Sequence, residues 1–84
     1  MRELTFSREA TKALLRLPRN VAVTIRSKLD QYLADPMSLA NNIKALKGMD
    51  GVLRLRVGDW RVVFTDDGQV VAVSRIAPRG SAYD

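Results

Sequence analysis

A chain of 84 residues, 46% hydrophobic and 27% charged, is enough for one folded domain and too little for two. It holds neither cysteine nor histidine, which excludes disulfides, thiolate nucleophiles, imidazole acid–base catalysis and zinc centres built on either residue, so no metal and no cofactor is expected. With 14 Lys+Arg against 9 Asp+Glu the net charge is +5 and the pI about 10.2, a balance that favours a polyanionic partner, either nucleic acid or an acidic protein.

In chain order, residues 2–6 alternate, with Leu4 and Phe6 on one side and Glu3 and Thr5 on the other, which predicts a short first strand. This opening carries no apolar signal region and no apolar run long enough to span a bilayer follows, so a cytoplasmic, membrane-free protein is expected. Ser7 is placed to cap a helix whose apolar positions are Ala10, Ala13, Leu14 and Leu17, and Pro18 ends it. Asn20 is expected to cap a second helix with Ala22, Ile25, Leu29, Tyr32 and Leu33 on its apolar face, stopped by Asp35-Pro36. The short connection predicts an antiparallel helical hairpin.

Residues 36–50 have no clear period; Leu39, Ile43 and Leu46 suit a short helical turn or a plug at the core edge. Residues 52–57 alternate apolar and basic, Gly58-Asp59 is a two-residue turn signal with glycine first, and Trp60 to Thr65 form the next strand. Asp66-Asp67-Gly68 turns the chain into a strand over 69–76, so rich in β-branched residues that it is expected to be central and covered on both faces. The predicted domain, spanning 1–84, is therefore α+β: one N-terminal strand, a two-helix hairpin, then a three-stranded antiparallel meander.

Period-2 alternation puts Arg54 and Arg56 on one sheet face and Leu53 and Leu55 on the other. The leucines should meet the helices. A two-residue turn pairs Val57 with Trp60, which sets Arg56 directly opposite Arg61 on the open face. Arg75 should lie on this face or at its rim, with Arg79 and Tyr83 beyond it. Such a cluster is either a solvated sheet face or an anion cleft. The only acid between residues 52 and 64 is Asp59, in a turn, and this favours the cleft. Trp60 is expected to pack rather than to stack on a base.

The run Leu46-Lys47-Gly48, followed by Leu53-Arg54-Leu55-Arg56-Val57-Gly58-Asp59-Trp60-Arg61-Val62-Val63-Phe64, resembles the central signature of the RelE/ParE toxin superfamily. The ending Arg75-Ile76-Ala77-Pro78-Arg79-Gly80-Ser81-Ala82-Tyr83 resembles that family's C-terminal arginine–tyrosine pattern, so the resemblance covers essentially the whole chain. It departs at Ala77 and Pro78, where relatives often carry His, Lys or Arg. The resemblance implies a compact α+β toxin held by an acidic antitoxin in a hetero-oligomer. For the RelE branch it implies entry into the ribosomal A site and metal-free endonucleolytic cleavage of mRNA. By the same resemblance Arg61, Arg79 and Tyr83 are the expected catalytic residues, and Arg54, Arg56, Arg75 and Lys47 the expected RNA-binding ones.

Metal-free cleavage turns the ribose 2′-hydroxyl on the adjacent phosphate. A proton must leave that hydroxyl, the phosphate's added charge must be neutralised, and the departing 5′-oxygen must be protonated. Without histidine, Tyr83 is the proton-transfer candidate, its phenolate favoured by nearby arginines. Arg61 and Arg79 would hold the phosphate. Two other classes stay open: a ParE-type gyrase inhibitor without catalysis, and a non-toxic module that binds an acidic partner.

Overall fold

The computed structural model describes residues 3–80, and its elements follow from local signals in the sequence. Strand β1 (Glu3–Phe6) leads directly into helix α1 (Arg8–Arg16). Ser7 Oγ accepts from the Ala10 amide at 3.0 Å, as expected of an N-cap, and donates to the Ser74 carbonyl at 2.8 Å, which ties the helix start to the sheet. Leu17 is extended (φ −73°, ψ 151°), as a residue before proline must be, and α1 ends there.

Helix α2 (Arg19–Ala34) opens on Pro18 rather than on an Asn20 cap. Proline's fixed φ suits a helix entrance, so the helix starts directly behind it. Asn20 falls in the first turn, its carbonyl accepting from Thr24 Oγ1. Ile25, Leu29 and Tyr32 are buried against the sheet, and Asp35 ends the helix before Pro36. No helix among the described residues is long and apolar enough to cross a membrane.

The stretch with no clear period contains two elements. A 3-10 helix (Pro36–Asn42) buries Leu39 and hands over to strand β2 (Ile43–Ala45). This strand adds to the predicted meander of β3 (Val52–Val57), β4 (Trp60–Asp66) and β5 (Val70–Pro78). The sheet order is β1-β5-β4-β3-β2, with β1 parallel to β5 and every other neighbour antiparallel. The parallel β1–β5 pair is joined by all the intervening chain: the helical hairpin carries it from β1 to the far edge at β2, and the meander brings it back to β5.

Both helices cover one sheet face, where Leu55, Val62, Phe64, Val71, Val73 and Ile76 form the core with Ile25, Leu29 and Tyr32. The Tyr32 ring meets Phe64 edge-on at 5.0 Å, and its hydroxyl donates to Asp66 Oδ2 at 2.6 Å. Strand β5 is central, as its composition predicts, but its far face is not fully covered: Ser74 is exposed and Arg75 half-buried.

A bulge at Ser74 explains that departure. Phe64 pairs with Val73 and Val63 with Arg75, so Ser74 is the extra residue of β5. Ahead of the bulge, Val71 and Val73 face the helices. Past it the alternation is shifted by one, so Ile76 returns to the helix side and Arg75 turns to the open side.

Candidate functional site

The open face is built in cross-strand rows. Lys44 of β2 lies opposite Arg54 of β3, Arg54 opposite Val63 of β4, and Val63 opposite Arg75 of β5. One step along, Arg56 lies opposite Arg61 and Arg61 opposite Ala77. Neighbouring strands are about 5 Å apart, so these rows crowd five cations onto the open face. Gly58, at φ 58°, makes the tight turn that sets this register.

Lys44, Arg54, Arg56 and Arg61 line a cleft of about 150 Å³, closed on one side by Asn41 and Asn42. Arg56 is exposed and Arg54 half-buried. Arg61 lies opposite Arg56 on the open face as alternation places it, yet it is only 9% exposed. Its Nη1 donates to the carbonyls of Gly58 and Trp60, both at 3.0 Å. A guanidinium has five donors, so these bonds orient the group without exhausting it. The same arginine therefore braces the turn and presents charge to the cleft.

The other expected residues are distributed around this centre. Arg75 is on the open face as the bulge dictates, but it does not line the cleft. The Arg79 amide donates to the Asp59 carbonyl at 2.8 Å, which places Arg79 beside the turn that Arg61 braces. Lys47 is exposed in the turn between β2 and β3, away from the cleft wall. Tyr83 lies outside the described residues. Trp60 packs against the core, as expected.

Sequence reasoning missed Asn41, Asn42 and Lys44. The apolar–basic–apolar triplet Ile43-Lys44-Ala45 repeats the pattern of 52–57 and is the signal that could have found Lys44. Beside the cations, the open face also has a small apolar patch, where Val63 and Ala77 are buried with Leu46 and Val52 packed on them.

Comparison with known proteins agrees with this architecture. The family model of the ParE toxin of the type II toxin–antitoxin system parDE matches residues 4–83. The fold is similar to that in the archaeal RelE–RelB complex from Pyrococcus horikoshii, with a TM-score of 0.77 and 23% identity over 96% of this chain and 98% of that one. The isolated E. coli RelE toxin gives a TM-score of 0.77 at 23% identity, covering 98% of this chain and 88% of that one. An E. coli RelE carrying two arginine-to-alanine substitutions, in complex with a peptide of the antitoxin RelB, gives 0.72 at 27% identity over 96% and 85%. A comparison with curated proteins gives no significant match.

The α+β fold of this chain is thus the one seen in solved RelE toxins. The chain belongs to the ParE toxin family of type II toxin–antitoxin systems, within the RelE/ParE superfamily.

Proposed function

We propose that this toxin cleaves messenger RNA on the ribosome without a metal and is silenced by a cognate acidic antitoxin. The observation that carries the reading is the cleft itself: four cations from three strands, one of them fixed by two backbone hydrogen bonds. Fixed donors suit a phosphate whose charge grows in the transition state, because they need no rearrangement when the reaction occurs. The 2′-oxygen attacks phosphorus and the bond to the 5′-oxygen breaks, leaving a cyclic phosphate and a 5′-hydroxyl. Arg61 and Arg79 neutralise the phosphate, Arg54 and Arg56 hold the flanking backbone, and Lys47 and Arg75 contribute at the rim. Tyr83 takes the proton-transfer role on the strength of the family resemblance. The ribosome is needed to align the RNA, since the chain offers no histidine for the proton transfers.

The antitoxin segment is expected to combine acids for the cleft with apolar residues for the patch around Val63 and Ala77. A second reading is favoured by one observation, the match to a ParE family model. In that reading the same cations meet carboxylates of gyrase and no bond is cut. Induced expression with transcript-end mapping separates the two. Cuts within codons of translated messages support cleavage, whereas a DNA-damage response with intact messages supports gyrase inhibition.

A further inference from the structure

The cleft has a feature that a pure phosphate trap does not need. Its cationic floor comes from β2, β3 and β4, but its remaining wall is two neutral carboxamides, Asn41 and Asn42. Phosphate recognition is served by charge, and charge is blind to base identity. A carboxamide holds a donor and an acceptor side by side, which is what reading a base edge requires.

Both asparagines are held in place by their surroundings. They end the 3-10 helix, whose Leu39 is buried in the core, and the next residue, Ile43, pairs with Leu55 in the sheet. The Ile43 amide closes the helix by donating to the Ala40 carbonyl, so the carboxamides are not needed as caps. Neither carboxamide is engaged in a hydrogen bond with another described residue. Asn42 is half-buried and Asn41 exposed, and both line the cleft.

We infer that Asn41 and Asn42 are specificity-determining residues that read one base of a single-stranded RNA whose phosphates lie on Lys44, Arg54 and Arg56. The inference rests on the reading of the cleft as an RNA site. The preferred base is adenine. Its Watson–Crick edge and its Hoogsteen edge each set an amino donor beside a ring-nitrogen acceptor, so a carboxamide can pair with it from either side. The Hoogsteen edge is the one that discriminates: there adenine alone sets a donor beside a ring-nitrogen acceptor, guanine offers two acceptors and the pyrimidines have no ring nitrogen.

The test is a translation reaction with purified ribosomes and a reporter mRNA in which one codon position is varied through all four bases, the cut ends being mapped and counted. Wild type is expected to favour adenine at one position relative to the cut. Asn42→Ala should reduce that preference on the order of 10-fold, Asn41→Ala less, and Asn42→Ser should give an intermediate loss. Arg54→Ala should instead reduce cutting at every site alike. Thermal melting confirms that each variant is folded, and the paired serine variant keeps the test decisive if an alanine variant melts early. If wild type cuts but the variants keep its base preference, base reading by these asparagines is overturned while the cleavage reading stands. If wild type cuts no message on ribosomes, the cleavage reading fails and this inference fails with it.

Discussion

The two faces of the sheet come from the same strands and teach different lessons. On the helix side, Leu55, Val62, Phe64 and Val73 are sealed from solvent and meet Ile25, Leu29 and Tyr32. On the open side, Lys44, Arg54, Arg56 and Arg61 share a cleft whose lining includes no residue of α1 or α2. Stability belongs to the first face, where apolar area is removed from water. The second face gathers like charges, whose mutual repulsion opposes folding. Arg61 is the exception that links them: it lies on the charged face yet is nearly as buried as the core.

The largest expected effect tests the covered face. Phe64→Ala opens a cavity beneath Tyr32 and should cost about 3–5 kcal/mol in urea unfolding. In so small a domain that should abolish toxicity through unfolding alone, and a variant that stays folded would break the division of labour between faces. Next comes Arg61→Ala, which acts on both faces at once. Loss of a donor aimed at developing charge should reduce cleavage on the order of 100- to 1000-fold. Two turn carbonyls also lose their partner, which should cost about 1–3 kcal/mol in thermal or urea unfolding. Arg61→Lys should restore only part of the activity, since an ammonium cannot serve the carbonyls and the phosphate together.

Tyr32→Phe keeps the ring against Phe64 and deletes the hydroxyl bond to Asp66. Urea unfolding should register a loss of about 1.5 kcal/mol, with cleavage by the folded protein unchanged. Ser7→Ala removes the α1 cap and the link to Ser74, for about 1 kcal/mol by the same measurement. The smallest effect concerns acid. Amides of Val70 and Gln69 donate to Asp67 and hold its carboxyl below its ordinary value of 3.8. Its contribution is therefore present above pH 3.8 and is lost as pH falls through the lower folded value. Asp67→Asn should slightly flatten the acid limb of a melting-temperature profile and leave neutral pH almost untouched.

The sequence made the charged face legible in direction but not in depth. Alternation assigns a side chain to a face, and Gly58-Asp59 set the pairing of Arg56 with Arg61 as observed. Alternation says nothing of whether a side chain then folds back, and the Gly58 and Trp60 carbonyls that capture Arg61 are backbone groups common to every residue. The Ser74 bulge was equally hidden, because Val71-Ala72-Val73-Ser74-Arg75-Ile76 reads as an unbroken strand. Strand β2 was missed because three residues are too few to establish a period on their own, and only their likeness to 52–57 marks them. On the helical side, Pro18 outweighed Asn20 as the start of α2, a case of backbone restriction prevailing over a side-chain preference.

The central claim is that the open face cuts RNA rather than simply binding an acidic protein. The most direct measurement is a reconstituted translation reaction with purified toxin, ribosomes and one defined message, read by 5′-end mapping with and without ribosomes. Cuts within codons are expected only when ribosomes are present, with little cutting of naked RNA and loss of all cutting when an antitoxin is added. An intact message at toxin doses that arrest growth would contradict it and leave the basic cleft as a surface for binding protein.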